Sequence, residues 1–235
     1  MIVVISQPMY FPWYGLFEQM RQADIFVHYD DVQLPNTASF MTRVQINAHN
    51  NISWLSLPIR RVDGSATKIN KCLILQSGWQ RKHLMTLEHA YKKASHFDEM
   101  YQLALSVINY ETDNLAEFTI NSVETVARYF NFSTVFKRSS QMQAEGHKTE
   151  RLLSICKQLG ATTYITGKGA LDYLNHQLFE ENGIRVHYPK YNCMEFKHIN
   201  STFTQYVSIL DFIAHCGKSS VDLFQTEFTD WREHI

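Results

Sequence analysis

An amide, a pair of carboxylates and a lysine between two glycines each follow an apolar segment whose composition is typical of a buried strand. These residues are Gln7, Asp30 and Asp31, and Gly167, Lys168 and Gly169. In an open parallel sheet, ligands bind outside the carboxyl ends of the strands. If the three segments are parallel members of one sheet, the three groups share one edge, and the sequence predicts a ligand site there.

The two aspartates suit hydrogen bonds to sugar hydroxyls, a divalent cation, or proton transfer by a carboxylate whose pKa the neighbouring carboxylate raises. Adjacent residues of an extended chain point to opposite faces, so at most one of the two faces a shared ligand. The alternative is a turn, in which aspartate bonds its own backbone. We predict Asp30 and Asp31 as catalytic or sugar-binding groups.

The Gly167-Lys168-Gly169 segment combines backbone N–H groups with an ammonium group, which suits a phosphate. It matches neither the G-x-G-x-x-G fingerprint nor the Walker A sequence, and the alternative is an ordinary glycine turn. We predict that these three residues bind the phosphates of a substrate.

Further cations occur at the start of a predicted helix, where Thr149 is the predicted N-cap. Cations at a helix N-terminus interact unfavourably with the helix macrodipole, at a cost of about 0.3–1 kcal/mol. Their presence therefore indicates an anionic partner. The alternative is that they belong to a solvated first turn. We predict that Lys148, Arg151 and, elsewhere in the chain, Arg43 contact a phosphate.

The eleven histidines and four cysteines show no metal-ligand spacing, so we predict no metal site. His83 is the predicted general base, and the alternative is a polar residue of the core or surface. A G-x-S-x-G nucleophile elbow is absent from the sequence, which disfavours an α/β-hydrolase.

Composition limits the classes of protein. The chain has 235 residues, of which 45% are hydrophobic and 19% charged, so it is expected to fold rather than to be disordered. The formal net charge of −1 provides no general attraction for nucleic acid. No apolar run reaches the roughly 18 residues of a membrane span, and the apolar start has no preceding basic region. We therefore predict a cytoplasmic protein without nucleic-acid partners or membrane spans.

Hydrophobic periodicity predicts an α/β fold: a Rossmann-like, mostly parallel sheet flanked by helices, with a helical insertion at about 78–131, in one domain over 1–235. The predicted strands are 2–6, 25–29, 53–57, 69–75, 162–166 and 184–188. The predicted helices are 14–20, several within 79–128, 149–159, a short helix through Tyr173 and Leu174, and 203–214. The strands 53–57 and 69–75 are predicted to form an antiparallel hairpin or an edge addition.

The chain resembles a known family along most of its length. The matching residues are Gln7-Pro8-x-Tyr10-Phe11-Pro12-Trp13-x-Gly15-x-Phe17, Asp30-Asp31-Val32-Gln33, Trp79 with His83, Lys148 with Arg151, Gly167 with Gly169, and Tyr191. This pattern resembles that of the WbqC-like proteins, and it adds Gln7, Tyr10, Gln33 and Tyr191 to the predicted substrate-binding residues.

WbqC-like proteins are bacterial and occur among genes for surface polysaccharide and O-antigen biosynthesis. The resemblance implies a cytoplasmic step on a nucleotide-linked sugar. Because the sequence has neither a nicotinamide fingerprint nor a metal motif, acyl or aminoacyl transfer to a nucleotide-linked amino sugar is the predicted reaction. A coenzyme A thioester or a carrier protein is the corresponding acyl donor, and the sequence names no cofactor.

The sequence leaves two alternatives open. One is a non-catalytic protein that holds a glycan or a partner through an exposed aromatic surface around Tyr10, Trp13 and Tyr14. The other is an ATP-dependent activating enzyme, because the N-terminal segment is somewhat similar to the strand, turn and helix that open some aminoacyl-tRNA-synthetase domains.

Overall fold

The computed structural model describes residues 1–37, 39–48, 51–191 and 206–234, apart from the side chains of residues 220, 222 and 223. Its strands are β1 (Ile2–Ser6), β2 (Ile25–His28), β3 (Arg43–Ala48), β4 (Asn51–Ser56), β5 (Ile59–Arg60), β6 (Leu73–Ile74), β7 (Val135–Arg138), β8 (Thr163–Ile165), β9 (Arg185–Lys190) and β10 (Glu227–Asp230). Its α-helices are α1 (Tyr14–Gln22), α2 (Trp79–Tyr91), α3 (Phe97–Ile108), α4 (Leu115–Tyr129), α5 (Lys148–Gln158), α6 (His176–Glu181) and α7 (Ile209–Cys216).

Six strands form the main sheet, in the order β10-β9-β8-β1-β2-β7. All neighbouring pairs are parallel except β10 with β9, which is antiparallel. The mostly parallel α/β fold predicted from the sequence is therefore confirmed. The edge strands β7 and β10 were not predicted, because both are partly exposed and lack an apolar run.

Both faces of the sheet are covered, which explains the continuous apolar composition of β1. Val4 packs in a hydrophobic cluster with side chains of α1, α3, α4 and α7, whereas Val3 and Ile5 pack in a second cluster with α5 and α6. This alternation is the period of two that a strand imposes on its side chains. The helices of the middle of the chain, α2 to α4, thus lie on one face of the sheet.

The two strands predicted at 53–57 and 69–75 do not pair with each other. Instead β4 pairs with β3, and the short strand β6 pairs with β5, both antiparallel. The prediction was wrong because β3, in which the buried Val44 and Ile46 flank the less buried Gln45, was not recognised as a strand.

Two helix predictions also need correction. The short helix predicted through Tyr173 and Leu174 is not formed: a 3₁₀ turn spans Lys168–Ala170, and the next α-helix, α6, starts only at His176. The closing helix spans Ile209–Cys216 rather than 203–214, and residues 203–205 lie outside the described part of the chain. None of the described helices is long and apolar enough to cross a membrane.

Candidate functional site

The carboxyl ends of three neighbouring parallel strands surround a cavity of about 680 Å³. Its walls include Gln7 after β1, Tyr29 after β2 and Gly167 after β8. The Tyr29 N–H donates to the Ser6 carbonyl at 2.8 Å, which fixes the end of β2 against the end of β1. A cavity of this size and position is typical of a small-molecule site in an open α/β sheet.

The N-terminus of α5 forms a second wall, with Lys148 and Leu152 facing the cavity. The N-cap of this helix is His147 and not Thr149, as the sequence suggested. The Thr149 hydroxyl instead donates to the Tyr173 carbonyl at 3.5 Å and accepts from the Asn175 N–H at 3.2 Å. Thr149 therefore joins the first turn of α5 to the segment that follows Gly169.

Lys148 has a left-handed backbone, with φ of 46°. For a residue with a side chain this conformation costs about 1–2 kcal/mol, so the surrounding structure must enforce it. The N–H groups in the first turn of a helix have no intrahelical partner, and the helix dipole makes this end electropositive. The strained position places a lysine at an end of α5 that already favours anions.

The charge of the described lining is positive. Lys148 and Lys168 are the only charged side chains among the described residues that line the cavity. Burial raises the pKa values of the lining residues Tyr29, Tyr173 and Tyr191 above the ordinary value, so these phenols are neutral at physiological pH. The described walls therefore offer cations and neutral hydrogen-bond donors, which together suit an anionic ligand.

An aromatic cluster forms another part of the wall. The ring centroids of Trp13 and Tyr191 lie 4.6 Å apart, with an interplanar angle of 62°. The ring centroid of Tyr206 lies 5.4 Å from that of Trp13. The Gln19 amide donates to the Tyr191 hydroxyl at 2.6 Å, and this hydroxyl donates to the Gly15 carbonyl at 3.4 Å. These contacts hold Tyr191 in place, so the cluster is a preformed surface for a planar or apolar ring.

Asp30 does not line the cavity. It is buried, with 2% of its surface exposed, and its carboxylate accepts from the Ser140 N–H at 3.0 Å and from the Ser140 hydroxyl at 2.7 Å. These bonds join the carboxyl end of β2 to the segment after β7. The described contacts of Asp30 are structural ones.

Asp31 and Arg151 lie behind the wall. The Asp31 carboxylate accepts from the Ser139 hydroxyl at 2.6 Å and pairs with the Arg151 guanidinium. Although burial opposes it, the hydrogen bonds from Ser139 and Arg151 and the Arg151 charge hold the pKa of Asp31 below its ordinary value. Asp31 is therefore a carboxylate at neutral pH that fixes Arg151, and neither residue lines the cavity.

His83 and Tyr10 lie in the core and not at this cavity. Tyr10 is fully buried, and its hydroxyl is 3.0 Å from Nδ1 of His83, which is 6% exposed. Burial lowers the pKa of His83 to about 4. The structure therefore places both residues in the packing between α2 and the segment after β1, and the roles of His83 as general base and Tyr10 as a substrate contact stay predictions without a place at this cavity.

Gln33 and Arg43 also lie away from the cavity lining. The Gln33 amide donates to the Ser65 carbonyl at 2.7 Å, and the Arg43 guanidinium lies 3.9 Å from the centre of the Trp54 ring. Of the residues predicted from the sequence, the structure brings six together at the cavity. These are Gln7, Lys148, Gly167, Lys168, Gly169 and Tyr191.

Two prominent lining residues, Tyr29 and Trp13, were not predicted as site residues. Tyr29 directly precedes Asp30 at the carboxyl end of β2. The prediction from strand ends therefore selected the neighbour of the residue that lines the cavity. Trp13 belongs to the motif after β1 and is the N-cap of α1. Within the described ranges, no group of three His, Cys, Asp or Glu side chains is arranged to hold a metal ion.

Comparison with known proteins shows the family of this chain. The sequence model of the WbqC-like protein family matches residues 7–223. The chain belongs to the WbqC-like protein family. The resemblance inferred from the sequence motifs is thus confirmed, and the matched region contains most of the residues that line the cavity.

A curated relative from Mycobacterium tuberculosis, named "Uncharacterized protein Rv1507c", is 30% identical over 222 residues. The alignment covers 94% of this chain and 96% of the relative, so the two proteins are similar over nearly their full lengths. No solved structure matches the chain.

Proposed function

We propose that this WbqC-like protein is a cytoplasmic enzyme of bacterial surface-polysaccharide biosynthesis that binds a nucleotide-linked sugar in the cavity. One observation carries the proposal. Two lysines and a helix N-terminus lie in the same cavity as a preformed aromatic cluster, at the carboxyl edge of three parallel strands. A nucleotide-linked sugar has the matching parts: a diphosphate, a planar base and a polar ring.

The diphosphate occupies the cationic part in this proposal. Lys148 and Lys168 supply charge, while the first turn of α5 and the backbone of residues 167–169 supply N–H donors. At an effective dielectric constant near 20, an ammonium 4 Å from a phosphate charge contributes roughly 4 kcal/mol of Coulomb energy before desolvation. Loss of either lysine is therefore expected to weaken binding strongly.

The aromatic cluster takes the base or the sugar ring. Trp13 and Tyr191 give an apolar surface, and stacking of this kind contributes about 1–3 kcal/mol for each base. The Gln7 amide, which lines the same cavity, adds both a donor and an acceptor for sugar hydroxyls.

The proposed reaction is acyl or aminoacyl transfer to the amino group of the bound sugar. The amine nitrogen attacks the acyl carbonyl carbon of a thioester, a C–N bond forms, the C–S bond breaks, and the amine proton ends on the departing thiolate. The donor is a coenzyme A thioester or a thioester on a carrier protein. The positive lining of the cavity favours the oxyanion that develops on the carbonyl oxygen.

The alternative of a glycan-binding protein with an exposed aromatic surface around Tyr10, Trp13 and Tyr14 has less support. Tyr10 is fully buried and Tyr14 is 4% exposed, so of the three aromatic residues in that hypothesis only Trp13 faces the cavity. An ATP-dependent activating enzyme would use the same cationic wall, and the experiment below separates it from the proposal.

A thermal-shift screen tests the proposal with UDP-, GDP- and dTDP-linked sugars, coenzyme A thioesters, and ATP with magnesium. A ligand at 100 times its Kd adds about 2.7 kcal/mol to the free energy of unfolding. We expect one nucleotide sugar to raise Tm in the wild type and to raise it much less in Lys148→Gln. Lys157→Gln is the matched control, because Lys157 lies on the same helix, bonds Asn182 and does not line the cavity.

The outcomes separate the candidate functions. A shift by ATP with magnesium and by no nucleotide sugar indicates the activating enzyme instead. Equal shifts in Lys148→Gln and Lys157→Gln contradict the assigned phosphate site, and the absence of any shift contradicts the proposal as a whole.

A further inference from the structure

A chain of contacts leads from the end of β7 to the cavity wall. The Ser139 hydroxyl donates to Asp31 at 2.6 Å, Asp31 pairs with the Arg151 guanidinium, and Arg151 Cζ lies 5.3 Å from the centre of the Tyr29 ring. Tyr29 is the member of this chain that lines the cavity. Arg151 thus connects a fixed carboxylate behind the wall to an aromatic ring in it.

Tyr29 lines the cavity on the side of α5. Its ring contacts Arg151, which lies on α5 three residues after Lys148. The Tyr29 backbone is bonded to Ser6, directly before Gln7. Tyr29 therefore lies between the end of β1 and helix α5, in the same cavity as the two lysines to which the proposed diphosphate binds.

The chemistry of the phenol suits a donor to an anion. Burial raises the pKa of Tyr29, so the hydroxyl keeps its proton, while the charge of Arg151 acts in the opposite direction. Because the positive charge of the neighbouring guanidinium makes the phenol more acidic than it would be from burial alone, the O–H group is a better hydrogen-bond donor. Hydrogen bonds from such groups to phosphate oxygens are among the strong ones in proteins.

We infer that the Tyr29 phenol donates a hydrogen bond to a phosphate oxygen of the ligand and that Arg151, fixed by Asp31, is the positioning residue for Tyr29. The inference rests on the proposed function, since it assigns a contact within the same site. It also gives Asp31 and Arg151 a role although neither lines the cavity: they hold the donor in place.

A double-mutant cycle tests the inference, with inorganic pyrophosphate as the probe in isothermal titration calorimetry. The proteins are the wild type, Tyr29→Phe, Arg151→Gln and the double variant. Loss of a hydrogen bond to a charged group is expected to raise the Kd about tenfold in Tyr29→Phe. Arg151→Gln should raise it by a similar factor, and the double variant should be no weaker than Tyr29→Phe.

Two further variants serve as controls. Arg151→Lys keeps the positive charge beside the ring and should restore most of the affinity. Arg138→Gln removes a different ion pair, with Glu117, that does not involve the cavity lining, and should leave the Kd unchanged. If Arg151→Gln does not fold, Asp31→Asn replaces it, because the loss of the carboxylate charge also releases Arg151.

Several results would overturn the inference. If Tyr29→Phe binds pyrophosphate with the wild-type Kd, the phenol does not contact the phosphate. If the factor by which the Kd rises in the double variant is the product of the two single-variant factors, Arg151 does not act through Tyr29. A wild type that does not bind pyrophosphate overturns it as well. A spectroscopic check uses ¹³C-labelled tyrosine: Arg151→Gln should raise the pKa of Tyr29 further, and an unchanged titration counts against the positioning role.

The inference and the proposed function fail in different ways. If the cycle behaves as expected with pyrophosphate but no nucleotide sugar binds, the phosphate contact is supported and the proposed function is wrong. If a nucleotide sugar binds and Tyr29→Phe has no effect on either ligand, the proposed function stands and the inference is wrong.

Discussion

The substitution Gly15→Ala probes the aromatic cluster without touching a polar or charged group. Gly15 lies in the first turn of α1, between the rings of Trp13 and Tyr191. A Cβ atom at this position would lie 2.5 Å from Trp13 Cη2 and 2.7 Å from Tyr191 Cε1. Ordinary van der Waals contacts begin near 3.4 Å, so the Trp13 ring has to move away by about 0.9 Å and the Tyr191 ring by about 0.7 Å.

The structure gives an approximate magnitude for the effect on stability. Overpacking of this kind costs about 1–3 kcal/mol, and movement of Tyr191 also strains its 2.6 Å hydrogen bond with Gln19, which contributes about 1 kcal/mol. Alanine is favoured over glycine in a helix by about 1 kcal/mol, which offsets part of the loss. We expect the free energy of unfolding to fall by about 2 kcal/mol.

The effect on binding should be larger than the effect on folding. Trp13 borders open space in the cavity, so the displaced ring is expected to move into the volume that the ligand needs. The Kd for the nucleotide sugar identified in the screen should rise at least tenfold. Urea unfolding measures the stability and isothermal titration calorimetry measures the Kd.

Gly167→Ala is the matched control for folding, because a Cβ atom there meets no other atom within 4 Å and its φ of −75° suits alanine. Its free energy of unfolding should be no lower than that of the wild type, because alanine fits this backbone and restricts the unfolded chain. If Gly15→Ala is as stable as the wild type and binds with unchanged Kd, the cluster is not where the structure puts it, and the reasoning from its geometry is refuted.

Two further predictions concern the core and the glycine segment. Burial lowers the pKa of His83 from 6.5 to about 4, so below pH 6.5 the unfolded chain binds the proton more readily and stability falls with falling pH. Urea unfolding should show an extra loss of about 2 kcal/mol between pH 7 and 5 in the wild type relative to His83→Gln, and equal losses contradict this. Gly169→Ala should leave Tm unchanged, since the added Cβ atom meets no neighbour within 4 Å. It should weaken nucleotide binding, because the Cβ atom crowds the phosphate. An unchanged Kd in calorimetry would contradict a contact between the phosphate and the backbone at Gly169.

The edge of the sheet at which the cavity lies could be predicted from the sequence because three buried strands have distinctive apolar composition. Parallel neighbours place their carboxyl ends at one edge, and this puts Gln7 and Gly167 in one cavity. The sequence did not show which residue at each strand end faces the cavity. At the end of β2 the aspartates were chosen for their chemistry, whereas the adjacent Tyr29 lines the cavity.

Long-range contacts explain the other differences. His83 was selected as a general base for its residue type, but its partner Tyr10 lies 73 positions away in the chain, and only the fold shows that both are buried. Likewise, the bonds from Ser139 and Ser140 that occupy Asp31 and Asp30 come from the segment after β7, a strand without an apolar signal.

The most direct test of the central claim is a crystal structure of the protein with the nucleotide sugar that gives the largest thermal shift. We predict electron density for the diphosphate between Lys148, Lys168 and the backbone of residues 167–169, with the base or sugar ring against Trp13 and Tyr191. A nucleotide bound outside this cavity, or a diphosphate placed away from both lysines, would contradict the account.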